Sequence, residues 1–346
     1  MRDFFYSLMT DKKNGWAFEI LKAVLWIASV FYGIGIVVRA LLYKFRIFET
    51  HVVPMKVISV GNLTLGGTGK TPFVIELTKI FREEFRKEPA VIIRGYGWDE
   101  SAMLKSKLKD APILVGKERA RSARRAIKLY GSDTAILDDG FQHWELGRNL
   151  DIVLVDSHNP FGNGFLFPRG VLREGKSSLK RADIVVLTKV DLNTANDTEL
   201  LKREIRKIKG DIEILEAVHR PKHFYDMKQR KDVDLSKVTG KRVILLSSIG
   251  DPEYFENTVK GLGAVVVEHI AFGDHHNYCI SDRSKIMKRC SERAFDIIIT
   301  TEKDAVKLTR MSIVFSDHTI FVLVIATDIT KGREALSGRL RSLYNS

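Results

Sequence analysis

The chain has 346 residues, 45% of them hydrophobic, enough for one large core or two ordinary ones and outside the disordered and collagen-like classes. Its 56 basic and 43 acidic side chains leave a formal charge of +13, which points to an anionic partner: nucleic acid, nucleotide, phospholipid head groups or a phosphorylated substrate. Cys279 and Cys290 show neither CxxC nor metal-finger spacing, which argues against a disulfide framework or a zinc site and fits a reducing compartment.

The first element is apolar. Residues 23 to 38, AVLWIASVFYGIGIVV, carry no charge, and the apolar character continues past Arg39 through ALLYKFRIF. A buried core helix would show a polar face, and a signal peptide would lead into a cleavage site and an exported, ATP-poor destination. Lys12, Lys13, Lys22, Arg39, Lys44 and Arg46, with Trp16, Trp26, Tyr32 and Tyr43, suit a helix embedded at a bilayer interface with its cations on anionic head groups. A membrane-associated segment is therefore expected over residues 1–50. Its uncharged length does not separate a helix that spans from one that dips.

After Pro54 the pattern changes to short apolar runs alternating with helical stretches. KVISV (56–60), AVIIR (90–94), TAILD (134–138), DIVLVD (151–156) and DIVVLT (183–188) read as buried parallel strands. With helices between several of them, they predict a doubly wound, mostly parallel α/β sheet of the P-loop NTPase type over residues 51–218. The charged LLKREIRKIKGD and the basic, turn-rich segment 219–232 mark an expected hinge. A second, smaller α/β domain is expected over 219–346, from RVILLSS (242–248), AVVVEHIAF (264–272), DIIITT (296–301), IFVLVI (320–325) and a helix from about Lys331.

The stretch SVGNLTLGGTGKTPF, residues 59–73, joins the first of these strands to an apolar helix. Gly66, Gly67, Thr68 and Gly69 let backbone N–H groups turn inward on phosphate oxygens, and the helix N-terminus adds its dipole. In such a loop Lys70 reaches the β- and γ-phosphates and Thr71 ligates Mg2+. Thr64 stands where the pattern GxxxxGK[ST] has its first glycine, and Leu65 replaces the early lysine of the KGGxGKT variant, which disfavours the commonest ATPase groups. Asp138 and Asp139 end an apolar strand, where a phosphate-loop protein needs a carboxylate for Mg2+.

Residues Thr188, Lys189, Val190 and Asp191 are similar to the guanine-reading motif of GTPases, so a GTP-driven regulator or metallochaperone is the alternative reading. Against it, the switch pattern DxxG is missing, because Gly140 follows Asp138 one residue too early. No RNA-binding or helix-turn-helix signature stands out, and nucleic acid is not an expected partner.

Taken together, SVGNLTLGGTGKTP, RGYG (94–97), LDDGFQH (137–143), FGNGFLFPRGVLRE (161–174), TK (188–189), FGDHHNY (272–278) and TEKDAVKL (301–308) occur in an order that resembles the tetraacyldisaccharide 4′-kinases of lipid A biosynthesis. The resemblance runs from the apolar helix to at least residue 308. It implies MgATP-dependent phosphorylation of the 4′-hydroxyl of tetraacyldisaccharide 1-phosphate, at the cytoplasmic face of the bacterial inner membrane. A monomer is the expectation.

The resemblance also implies a general base, an Asp paired with the first His of Asp-His-His, which falls here on Asp99 and His275. The sequence departs from the family near the base: Trp98 replaces a Gly, and the segment after RGYG is almost absent. His276 is the rival to His275. Glu174 corresponds to an acid that the family places near the nucleotide and metal, while His143, in GFQH, reads as a supporting residue. Basic candidates for holding the 1-phosphate are Arg119, Arg121, Arg169 and Arg173. Residues 159–170 read either as a cover contacting acyl chains and sugar or as an ordered surface connection.

Overall fold

The structure, a computed structural model, describes residues 2–95, 98–310 and 318–345, and for Arg2, Asp3, Trp98, Asp99 and Arg310 it describes the backbone alone. In chain order, α1 (Arg2–Met9) and α2 (Trp16–Lys44) precede β1 (Lys56–Asn62), α3 (Lys70–Phe85), β2 (Ala90–Ile93), α4 (Trp98–Lys107) and β3 (Ile113–Val115). Then come α5 (Arg119–Tyr130), β4 (Thr134–Asp138), β5 (Leu150–Asp156), β6 (Ile184–Thr188), α6 (Ala195–Ile208) and β7 (Glu213–Asp226). The remainder comprises β8 (Asp232–Val233), β9 (Arg242–Ser247), α7 (Pro252–Gly261), β10 (Val265–Ala271), α8 (Ile280–Ser291), β11 (Ile297–Thr301), α9 (Glu302–Arg310), β12 (Ile320–Lys331) and α10 (Arg333–Ser342).

Two compact units result. The first holds Met1–Tyr96, Leu108–Val218 and Thr327–Ser346, and the second holds Gly97–Lys107 and His219–Ala326. The expected division into 51–218 and 219–346 differs from this at two places. Helix α4 groups with the second unit, where it packs on α9, and the chain end returns to the first, where Lys331 pairs with Glu216 at 3.2 Å.

In the first unit the strands lie in the order β7, β6, β5, β1, β4, β2, β3, all parallel. Both faces are covered, which is why their sequences are continuously apolar. Val57, Ala135 and Leu137 pack with Ala120, Ala123 and Ala126 of α5, while Val153, Val155, Val185 and Leu187 pack with Leu201 and Ile205 of α6. Each fully buried Val, Leu or Ile among them contributes about 1.5–3 kcal/mol. Helix α3 buries Phe73, Val74, Leu77, Ile80 and Phe81, one face at helical spacing, and stops at Arg86 in the left-handed region, three residues before Pro89.

Helix α2 is 29 residues long, longer than its uncharged run, and Glu19 and Lys22 pair across one turn near its start at 2.8 Å. One of its faces docks on the first unit. Tyr32 donates to the Arg173 carbonyl at 3.1 Å, Arg39 to the Gln142 carbonyl at 3.1 Å, and Tyr43 meets Trp144 at a ring distance of 5.5 Å. The remaining faces expose Trp26, Ile27, Phe31, Ile34 and Val37.

The second unit has β10, β9, β11 and β12 in parallel, with β7 beside β12 and β8 antiparallel to β7. The segment expected as a hinge, 219–232, is instead the second half of β7 and its hairpin turn, with Phe224 paired to Val233. Its lysines and arginines sit at exposed positions while Phe224 is fully buried, so cross-strand pairing overrides the turn-rich composition.

Candidate functional site

Strand β1 pairs in parallel with β4, and Val60 lies opposite Asp138. Parallel neighbours open their C-terminal loops at the same sheet edge, so the glycine loop and the paired carboxylates meet there. Gly69 caps α3 with φ 83, a left-handed conformation that favours glycine. Gly61 permits a second close approach: a Cβ there would stand 2.5 Å from the Cβ of Phe141.

The two acids then diverge. Asp138 is buried, and Thr71 Oγ1 donates to its Oδ2 at 3.3 Å. Asp139 takes a left-handed φ of 55, which turns its carboxylate toward cations. Lys70 Nζ lies 3.5 Å away, and Arg173 Nη1 donates to both carboxylate oxygens at 2.7 and 2.8 Å. Partial burial alone would raise the Asp139 carboxyl, but Lys70 and Arg173 outweigh it and hold it far below the usual carboxylate range.

Arg173 reaches this position through an unforeseen pairing. Leu65 N–H donates to the Val171 carbonyl and Arg173 N–H to the Leu63 carbonyl, both at 2.7 Å, so residues 171–173 run alongside the entry to the glycine loop. Segment 159–170 is ordered and anchored at its other end: Asn163 bonds the Met9 carbonyl and Asp11, and Arg169 pairs with Asp11 at 2.8 Å. Phe165 and Phe167 stay exposed. Glu174 is buried with its carboxylate engaged by Arg181 at 2.8 Å, and Arg181 stacks over Phe141 and Trp144.

Arg119 is 1% exposed, and its Nη2 donates to the carbonyls of Asp138 and Asp139 at 2.8 and 3.0 Å, clamping the turn between them. Burial pushes its guanidinium pKa down against the pull of the two aspartates. His143 is neutral at physiological pH, because burial and then Arg119, Arg148, Arg39 and Arg94 lower its pKa to about 4. Of the basic candidates, Arg119 and Arg173 are thus in this cluster, Arg169 is committed to Asp11, and Arg121 lines a cleft with Lys117 and Arg125.

The second unit gathers a different set. His275, at a left-handed φ of 57, faces Glu100, Asp274 and Lys303. His276, its rival, is committed elsewhere: it bonds Asp282 at 2.8 Å and stacks on Phe272 at 4.7 Å. Asp99 lies in the first turn of α4, immediately before Glu100, and its side chain lies outside the described residues.

The model of the tetraacyldisaccharide-1-P 4′-kinase family, LpxK, matches residues 21–98 and 98–344. A tetraacyldisaccharide 4′-kinase of Syntrophus aciditrophicus is 36% identical over 324 residues, 83% of this chain and 84% of that protein. One from Elusimicrobium minutum is 35% identical over 345 residues, 92% of this chain and 91% of its own length. The chain belongs to the tetraacyldisaccharide-1-P 4′-kinase family. A crystal structure of LpxK from Aquifex aeolicus in complex with ATP superposes with a TM-score of 0.71 at 25% identity, covering 93% of this chain and 99% of that one.

Family membership makes the chain a phosphotransferase with an alcohol acceptor and disfavours the GTP-driven alternative. The geometry around Thr188 and Lys189 accounts for that motif differently. Thr188 Oγ1 donates to the Thr68 carbonyl at 3.2 Å, bracing the glycine loop, and Lys189, 2% exposed and left-handed, is ion-paired with Asp156. The apolar N-terminal helix is a candidate membrane anchor.

Proposed function

We propose that the chain transfers the γ-phosphoryl group of ATP to the 4′-hydroxyl of tetraacyldisaccharide 1-phosphate, at the cytoplasmic face of the bacterial inner membrane. The observation that carries the ATP part is the glycine loop with Lys70, Thr71, Asp138 and Asp139 drawn together at one sheet edge. The acceptor is argued from the family.

In this reading the backbone of Gly66, Gly67, Thr68 and Gly69 cradles the phosphates and Lys70 neutralises the β- and γ-oxygens. Thr71 and Asp138, already in contact, suit Mg2+, which takes one or two protein oxygens and keeps waters and phosphate oxygens for the rest. Mg2+ bound there supplies neutralisation of the transferring phosphate charge. Asp139 orients Lys70 and Arg173, while Glu174 serves the site indirectly by holding Arg181 over Phe141.

Asp99, supported by His275, accepts the proton of the 4′-hydroxyl as its oxygen bonds to the γ-phosphorus and the bond to the β-phosphate oxygen breaks. A secondary alcohol needs alignment more than deprotonation, so the base acts late. Helix α2 lies in the membrane interface: contacts from Tyr32 to Tyr43 bind one face to the first unit, leaving the opposite face for lipid.

The test is label transfer from γ-labelled ATP to tetraacyldisaccharide 1-phosphate in detergent micelles, wild type beside Asp99→Ala, with GTP as the alternative donor. Labelled lipid from ATP, lost in the variant, is expected. GTP hydrolysis with no labelled lipid would overturn the reading.

A further inference from the structure

Lys303 stands in the first turn of α9 with its side chain 16% exposed. Its Nζ lies 3.3 Å from Asp274 Oδ1, 3.3 Å from His275 Nε2 and 3.5 Å from Glu100 Oε1. The same ring nitrogen stands 3.7 Å from Asp274 Oδ2 and 3.8 Å from Glu100 Oε1, so the ammonium and the imidazole share the two carboxylates. An ammonium donates and cannot accept. Lys303 therefore joins the two carboxylates as their common cation.

The turn that presents Lys303 is held from below. Asp304 is fully buried and accepts from Ser248 N–H at 3.0 Å, Thr301 Oγ1 at 2.7 Å and Tyr278 OH at 3.2 Å. Buried Lys307 donates to Ser248 Oγ at 2.7 Å, and Asp304 N–H donates back to Thr301 Oγ1 at 3.2 Å. These bonds converge on Thr301 and Asp304 and so hold the turn where α9 begins. Helix α4 is clipped to that start at both ends, by Glu100 on Lys303 and by Lys107 on Glu302.

We propose that Lys303 is a positioning residue for phosphoryl transfer. Its ammonium ties the loop carrying His275 to the turn of α4 carrying Asp99. Because Asp274, His275 and Glu100 come from two separate segments, no local sequence feature could hold them in register, and the cation between them does. The inference rests on the reading of Asp99 and His275 as the base pair.

The experiment compares Lys303→Met, which keeps the stem and removes the charge, with Lys303→Arg, Asp99→Ala and His275→Ala in the full-length protein. Steady-state kcat and KM for ATP and for the lipid acceptor are measured beside thermal melting. Lys303→Met should lower kcat by roughly 10- to 100-fold with the KM for ATP and the melting temperature unchanged, a modest share of what acid–base groups contribute. Lys303→Arg should recover part of the loss. Wild-type kcat in Lys303→Met, with Asp99→Ala and His275→Ala inactive, would overturn the role of Lys303 and leave the base pair standing. Loss of kcat with earlier melting in both Lys303 variants would reduce it to a structural residue and overturn the proposal as well. Full turnover in Asp99→Ala and His275→Ala would remove the base reading itself, and the inference with it.

Discussion

Arg173 and Asp139, 34 residues apart in the chain, share a single guanidinium nitrogen between both carboxylate oxygens at 2.7 and 2.8 Å. This contact and Lys70 keep Asp139 ionised, so its stabilising contribution is present above the ordinary carboxyl pKa of 3.8 and is lost only as pH falls through its depressed folded value. Arg173→Ala should move that loss to higher pH, read by carboxylate NMR titration. It should also lower kcat by about 10-fold or more, because a cation aimed at the phosphate site is removed. An unmoved Asp139 titration would mean that Lys70 and Arg119 suffice to set its charge.

Lys70→Ala and Asp139→Ala should each cut phosphoryl transfer by about 10²–10³-fold through lost charge stabilisation. Melting temperature should change little in Lys70→Ala, because Asp139 keeps Arg173 as its partner. Turnover within threefold of wild type in Lys70→Ala would remove the glycine loop from the chemistry.

His143 predicts an acid-sensitive fold. Its folded pKa of about 4 lies below the ordinary value of 6.5, so the unfolded chain binds the proton first as pH falls. Stability should be full above pH 6.5 and decline between 6.5 and about 4. Denaturant unfolding at pH 7.5 and 5 should show a smaller pH difference in His143→Gln than in wild type, and an equal difference would assign the decline to other groups.

Asp156→Ala leaves the Lys189 ammonium buried without its carboxylate and should cost on the order of 3 kcal/mol in unfolding experiments. Thr188→Val removes the brace on Thr68 and should weaken ATP binding several-fold by calorimetry without altering the preference for ATP over GTP. A switch toward GTP in either variant would revive a base-reading role for the motif.

Deleting residues 1–48 should reduce flotation with anionic vesicles, because the exposed apolar faces of α1 and α2 go with them. Residual binding would locate a second contact at the exposed Phe165 and Phe167. Cysteines placed at both ends of α2 should be labelled from the same side of sealed vesicles, whereas labelling from opposite sides would show a helix that crosses.

The local part of the site was legible because its signals are local. A run of apolar residues, three glycines and Lys70-Thr71 within one strand-loop-helix specify a phosphate cradle through backbone conformation and helix dipole alone. Paired acids after TAILD carry the same kind of message, and periodicity marked the buried strands. Length misled where tertiary contacts extend an element: β7 continues through residues that read as a hinge, and the three-residue β3 has too little pattern to be seen.

What the sequence determined by itself is therefore the phosphate loop, the apolar helix and the alternation of strands, all set by interactions among near neighbours. Tertiary structure alone brought Arg173 to Asp139 by pairing residues 171–173 with 63–65, turned one face of α2 onto the first unit, and set Lys303 among Glu100, Asp274 and His275. The left-handed backbones of Asp139 and His275 belong to the same class, since such conformations persist where tertiary contacts over-determine them. Charge partners at long separation depend on sheet register and helix docking, which no window of sequence contains.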